Sequence, residues 1–187
     1  EICYLTGFGA SASHLGAPDI GLMTSTEMAN LAGRVANAIS IPVIADADTG
    51  YGNTINVRHT AKLYSKAGVA AMQLEDQEFP KCCGHLDGKQ VVPTADMVDK
   101  IKAAKDEVGT ELLIVARTDA RAVFDLEIAL ERGQAYKEAG ADILFIEAPR
   151  TETEMKTICT TFPSTPLIAN IVEGGKTPFL NGDELTK

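Results

Sequence analysis

Between positions 75 and 85 the chain runs Glu75-Asp76-Gln77-Glu78-Phe79-Pro80-Lys81-Cys82-Cys83-Gly84-His85, placing acids, an amine, two thiols and an imidazole close together. Cationic neighbours lower a thiol's pKa and equip it for proton donation or nucleophilic attack. Lys81 and His85 provide that setting for Cys83, and Gly84 gives the adjoining backbone its freedom. A cysteine is also, commonly, a small buried hydrophobe, and charge context alone leaves both readings of Cys83 open. Cys82 points elsewhere if this loop is extended.

Two further clusters carry polar chemistry. Asp46 and Asp48, two apart in Asp46-Ala47-Asp48-Thr49-Gly50, share one face if the strand continues through them. Two such carboxylates repel unless a cation joins them, and Glu75, at the end of the next strand, adds a third. Hard oxygen donors of this kind suit Mg2+ or Mn2+ rather than zinc. The plainer alternative for Asp48 is a turn ahead of Gly50. In Arg117-Thr118-Asp119 the guanidinium offers a fork to a substrate carboxylate or enolate oxygen. An internal salt bridge to Glu147 or Asp119 is the alternative, and the two roles are compatible.

These residues need elements to hold them. Short apolar runs at 2–6, 42–46, 69–74, 111–116, 142–146 and 166–171 predict strands, and helical periodicity between them covers 25–39, 55–67, 94–108, 126–139 and 151–162. Ser25, Thr94-Ala95-Asp96 and the Thr151/Glu154 pair signal helix starts, and Gly68, Gly109 and Gly140 signal helix ends. Successive βα units mean an α/β protein with a parallel sheet. A doubly wound sheet would need a phosphate-binding helix opening on its glycine-rich turn, and the sequence suggests no helix on Gly7-Phe8-Gly9. Polar residues at many strand ends favour a TIM-type barrel, (β/α)8: Tyr4 and Thr6, Asp46 and Asp48, Gln73 and Glu75, Arg117 and Asp119, Glu147, Asn170 and Glu173. Six strands fall short of the eight of a closed barrel. The expectation is one incomplete barrel domain, 1–187, lacking a first and a last βα unit.

The chain has 187 residues, enough for one domain with a real core. Its net charge of −9 disfavours nucleic acid, and no apolar run approaches the roughly 20 residues of a membrane-spanning helix. Small anionic substrates remain compatible, because a local Arg, Lys or metal overrides the global sign. Cys3, Cys82, Cys83 and Cys159 form no disulfide framework and no Cys-x2-Cys pair, while His14, His59 and His85 are scattered, so reduced thiols without structural zinc are expected. That usage predicts a cytoplasmic protein, with organellar targeting left open because the chain opens inside a strand.

Glu75-Asp76-Gln77 followed by Lys81-Cys82-Cys83-Gly84-His85 resembles the isocitrate lyase and phosphoenolpyruvate mutase superfamily. So do the segments Leu15–Gly21, Ile44–Gly52, Ala116–Ala120, Glu147–Pro149 and Ala169–Gly175, which spread the resemblance over nearly the whole chain. The resemblance implies a (β/α)8 barrel, a homotetramer when full length, Mg2+ or Mn2+ as cofactor, and a small 2-hydroxy or 2-oxo carboxylate as substrate. It places Asp46, Asp48 and Glu75 at the metal, directly or through water. It places Tyr4, Thr6, Gly7 and Phe8 in a substrate-holding turn, and Arg117, Glu147 and Asn170 in the pocket. Cys83 falls on the family's catalytic cysteine, with Lys81, Gly84 and His85 around it. Three positions depart from relatives: Thr6-Gly7-Phe8 stands for Ser-Gly-Gly, Cys82 for Lys or Arg, and Gln73 for the His of some methylisocitrate lyases. The retained cysteine implies retro-aldol carbon–carbon cleavage with Cys83 as general acid and Tyr4 as one candidate base. The branch it resembles includes 2-alkylmalate lyases, dimethylmalate lyase and oxaloacetate acetylhydrolase. The alternatives are a phosphonomutase of the carboxyvinyl-carboxyphosphonate phosphorylmutase type and a non-catalytic binding protein.

Overall fold

In a computed structural model of the chain, which describes residues 1–81 and 88–185, six parallel strands lie side by side in chain order. They are β1 (Cys3–Leu5), β2 (Val43–Asp46), β3 (Ala71–Glu75), β4 (Leu113–Thr118), β5 (Ile143–Ile146) and β6 (Leu167–Ile168). The principal connecting helices are α2 (Ser25–Ala38), α3 (Thr54–Ala67), α4 (Thr94–Val108), α6 (Leu126–Glu138) and α7 (Glu152–Thr161). A short α1 (Gly7–Ala10) running into a π-helical turn (Ser11–Leu15), a short α5 (Ala120–Val123) and α8 (Gly182–Leu185) complete the described elements.

The alternation of side chains decides between the two closures. Val43, Ala45, Met72, Leu74, Ile114, Ala116, Leu144 and Ile146 belong to one large core with helix residues such as Val57, Ala61, Tyr64, Met97, Ile101 and Tyr136. The residues between them, Ile44, Ala71, Val115 and Phe145, form a separate small cluster with Tyr4 and Ile168. Successive residues of a strand face opposite sides, so the helices cover one face only. A doubly wound sheet would carry helices on both. The sheet is a curled half-barrel, and the α/β, incomplete TIM-type expectation is met.

Helix ends follow the chemistry of the local sequence. Thr24 accepts from the Glu27 amide while the Glu27 carboxylate accepts from Thr24 N–H, a full capping box one residue ahead of the Ser25 start signal. Thr151 caps α7 through the Glu154 amide at 3.1 Å, but the Glu154 carboxylate accepts instead from Arg150 N–H and pairs with Arg121. Gly68 and Gly109 end α3 and α4 at positive φ.

Three expectations are corrected. A helix does open on Gly7: Thr6 caps α1 by accepting from Gly9 N–H, a signal hidden by the low helix propensity of its two glycines. The strand expected at 166–171 is reduced to Leu167–Ile168, an edge strand with a single neighbour. The strands expected at 69–74 and 111–116 lie further toward their carboxyl ends, because Val69 and Leu112 are buried outside the ladder and only mimic strand residues in sequence.

Candidate active site

The inward positions continue in register past the carboxyl end of each strand. Tyr4 leads to Thr6, Ile44 to Asp46, Ala71 to Gln73 and Glu75, Val115 to Arg117 and Asp119, Phe145 to Glu147, and Ile168 to Asn170. Most of them meet around a cavity of about 810 Å3 lined by Tyr4, Thr6, Phe8, Asp19, Asp46, Glu75, Lys81, Arg117, Phe145 and residues 168–175. Phe145, Ile168, Ala169, Ile171 and Val172 contribute apolar lining to that cavity.

Asp46 is the acid corner. Its Oδ2 accepts from Gly7 N–H at 3.1 Å and its Oδ1 from Asp48 N–H at 3.0 Å. A Cβ at Gly7 would lie 2.9 Å from Asp46 Oδ2 and 3.3 Å from Asp48 Oδ1, so glycine is what admits both carboxylates. Asp48 does not reach the site by strand alternation as the spacing suggests. The strand ends at Asp46, and Asp48 turns back with φ of 48°, a left-handed conformation uncommon outside glycine. The turn reading is therefore also correct, since Gly50 N–H donates to Ala47 O at 2.8 Å.

Lys81 is buried between acids, its Nζ 2.6 Å from Asp19 and 2.7 Å from Asp48. Burial alone would lower its pKa, but Asp46, Glu75, Asp48 and Asp19 outweigh it and hold the ammonium charged. Arg117 donates from Nε and Nη2 to the two oxygens of Asp119 at 3.0 and 3.1 Å, lies 3.3 Å from Glu75 and 3.6 Å from Glu147, and sits 5.3 Å over the Phe145 ring. Tyr4 donates to Gln73. Burial, then Asp46, push its phenol well above the ordinary range. Thr6 and Phe8 line the cavity from α1, and Asn170 from beyond β6. Cys83, Gly84 and His85 lie outside the described residues; Cys3 and Cys159 are free thiols.

Asp19 and Lys89 are site residues that the sequence did not reveal. Asp19 sits in a long irregular segment, where no strand or helix period aims a side chain. Its only local signal is a Pro-Asp step ahead of Gly21.

Comparison with known proteins identifies the family. The phosphoenolpyruvate phosphomutase profile matches residues 2–186. The 2,3-dimethylmalate lyase of Eubacterium barkeri is 57% identical over 99% of this chain and 64% of its own length. The chain belongs to the PEP mutase/isocitrate lyase superfamily. A further superfamily member, the 2-methylisocitrate lyase of Bacillus subtilis, is 47% identical over 97% of this chain and 59% of its own length. A crystal structure of 2,3-dimethylmalate lyase superposes with a TM-score of 0.94 at 39% identity, covering 98% of this chain and 62% of that one. The chain thus spans about three fifths of the length of these superfamily members.

The carboxylates around the cavity are oxygen donors of the kind a hard divalent cation takes. Of the seven buried carboxylates and four buried cations among the described residues, all but Asp76 and Arg132 belong to this network: Asp19, Asp46, Asp48, Glu75, Asp119 and Glu147 with Lys81, Lys89 and Arg117. Glu75 Oε1 is buried and accepts no hydrogen bond from the described residues. No three acidic, His or Cys side chains among the described residues are already gathered round one point, and the Lys81 ammonium bridges Asp19 and Asp48. An ion here would complete its shell with water, as Mg2+ commonly does.

This superfamily site carries a measurable pH signature. Burial, then Asp46, raise Asp48 from 3.8 to about 6, and burial raises Glu75 and Asp76. A carboxyl with a raised folded-state pKa favours the fold while protonated and loses that contribution as pH rises from its unfolded value through its folded one. Burial would raise Asp119 as well, but Arg117 and Lys89 outweigh it and hold that carboxyl low, so its contribution is lost only on acidification below the same range. In metal-free buffer the melting temperature is therefore expected to fall between about pH 4.5 and pH 7. For Asp48 the effect is on the order of 3 kcal/mol, or several degrees. Asp48→Asn should flatten the slope; a wild-type melting temperature that rises over this window would show that Asp48 ionises normally.

Proposed function

We propose that this chain carries the greater part of the active site of a metal-dependent carbon–carbon lyase that splits an alkyl-substituted malate by retro-aldol cleavage. The observation that carries this reading is one cavity lined both by a guanidinium braced by three carboxylates and by apolar side chains. The guanidinium suits a carboxylate and the apolar lining an alkyl substituent. The 57% identity to a 2,3-dimethylmalate lyase supports the same choice.

Asp46, Asp48 and Glu75 would hold Mg2+ or Mn2+, directly or through water, and the ion would supply Lewis-acid stabilisation of substrate oxygens. The chain's own residues do the rest. Arg117 orients a substrate carboxylate and offsets charge that develops on it. Tyr4, whose single O–H is donated to Gln73, has its oxygen left to accept from a substrate hydroxyl. The C2 hydroxyl loses its proton to solvent or to Tyr4 as the candidate base, C2 becomes the carbonyl of a 2-oxo acid, and the C2–C3 electron pair passes to C3. Cys83 protonates C3 and releases the second carboxylate product. Lys81 and His85 flank that thiol in sequence and favour release of its proton, and the proton given up by the C2 hydroxyl returns through solvent to restore the thiol.

The test is a kcat/KM comparison with 2,3-dimethylmalate, 2-methylisocitrate and oxaloacetate, with Mg2+ or Mn2+ added and then chelated. The alkylmalate is expected to lead, with activity lost on chelation and restored by metal. Hydrolysis of oxaloacetate as the leading reaction would make the chain a hydrolase. Turnover of phosphonopyruvate, seen by phosphorus NMR, would make it a phosphonomutase. A melting temperature indifferent to metal and to every substrate would leave a non-catalytic binding protein.

A further inference from the structure

Lys89 follows the Cys83 segment and belongs to no helix or strand, yet its ammonium is buried on Asp119, with Nζ 2.9 Å from Oδ1. The same Oδ1 accepts from Arg117 Nη2 at 3.1 Å, and Asp119 Oδ2 accepts from Arg117 Nε at 3.0 Å. One carboxylate is thus shared by two cations. The Asp119 backbone is fixed independently, its N–H donating to Asp76 Oδ1 at 2.9 Å. The strip that carries Lys89 is fixed too, with Glu78 N–H donating to Gln90 O and Val92 N–H to Asp76 O, each at 2.9 Å.

We propose that Lys89 is a positioning residue for Arg117, acting through Asp119. This rests on the proposed reading of the site, in which Arg117 receives a substrate carboxylate. Glu75, Asp119 and Glu147 surround the Arg117 guanidinium, and without a second cation Asp119 draws it fully to itself. Lys89 takes up part of that charge, so the guanidinium keeps its orientation and stays able to accept an incoming anion.

The test uses the full chain and two measurements. The first is the Arg117 Nε–H cross-peak in a proton–nitrogen correlation spectrum, assigned by its loss in Arg117→Met. The second is calorimetric binding of oxalate, a compact dicarboxylate, with Mg2+ present. Lys89→Met is expected to shift or broaden the Arg117 signal and weaken oxalate binding about tenfold, a loss of about 1.4 kcal/mol. Lys89→Arg should restore both. Lys62→Met, an equal charge change on the surface pair with Glu107, should alter neither. If Lys89→Met does not fold, Lys89→Gln, which still donates to Asp119 without charge, takes its place with the same expectation. An unchanged Arg117 signal in the charge-removing variant, or no rescue by arginine, overturns the positioning role. A displaced Arg117 signal in a chain whose wild type binds no oxalate would keep the Lys89–Arg117 link and overturn the reading of the site.

Discussion

Arg117→Met is expected to lower stability by about 3–5 kcal/mol and activity by at least about a thousandfold. The guanidinium is the shared partner of Glu75, Asp119 and Glu147, all at 0–1% side-chain exposure. Removing it takes from three buried carboxylates the cation they share, so protons must replace much of the lost charge. Thermal melting should fall by about 10 °C at neutral pH, and less in acid, where those carboxyls protonate at lower cost. Arg117→Lys separates the two consequences. It restores a cation and part of the stability, but an ammonium cannot make the forked contact with Asp119 and reach a substrate carboxylate together. Its activity should stay near that of the methionine variant. Full turnover in either variant would remove Arg117 from the active site.

Cys83→Ser is expected to abolish turnover, with kcat down by about 10^3 to 10^4, while Mg2+ and oxalate binding stay within a few-fold of wild type. A serine hydroxyl is far too weak an acid to deliver its proton to carbon at neutral pH. The metal-side carboxylates and Arg117 are contributed by other elements and do not need the thiol. The measurement is single-turnover kinetics alongside calorimetry. If the serine variant turns over at the wild-type rate, the general acid lies elsewhere; if it also fails to bind, the cysteine segment shapes the site rather than protonating the product.

Much of this was legible in the chain, for reasons that differ residue by residue. Ile44, Met72, Val115 and Phe145 announced buried parallel strands because their apolar runs are too short for helices. Three of those runs also come just after the helix-ending Gly68, Gly109 and Gly140. Once the strands were placed, period-two alternation aimed Asp46, Glu75, Arg117 and Glu147 inward. The failures cluster where no period operates. Asp48 arrives through a left-handed turn, Asp19 and Lys89 sit in irregular chain, and the short helix on Gly7 looks in sequence like a loop. Lys89 is the instructive miss: a lysine in a polar loop normally reads as solvated, and only the tertiary position of Asp119 draws it inside.

Glu75 and Asp76 are neighbours in sequence and are sent to opposite sides of the wall. Glu75 meets Arg117 in the cavity. Asp76 turns outward and accepts from Thr118 at 2.7 Å, Tyr136 at 2.7 Å and Arg132 at 3.0 Å, the last two from α6. A single thickness of backbone therefore separates two charge systems, one facing the cavity and one riveting the helix layer to the sheet. They meet at Asp119, which holds Arg117 by its carboxylate and Asp76 by its N–H. An engineer who loosens the outer rivet at Asp76 therefore also slackens the backbone that aims the inner guanidinium.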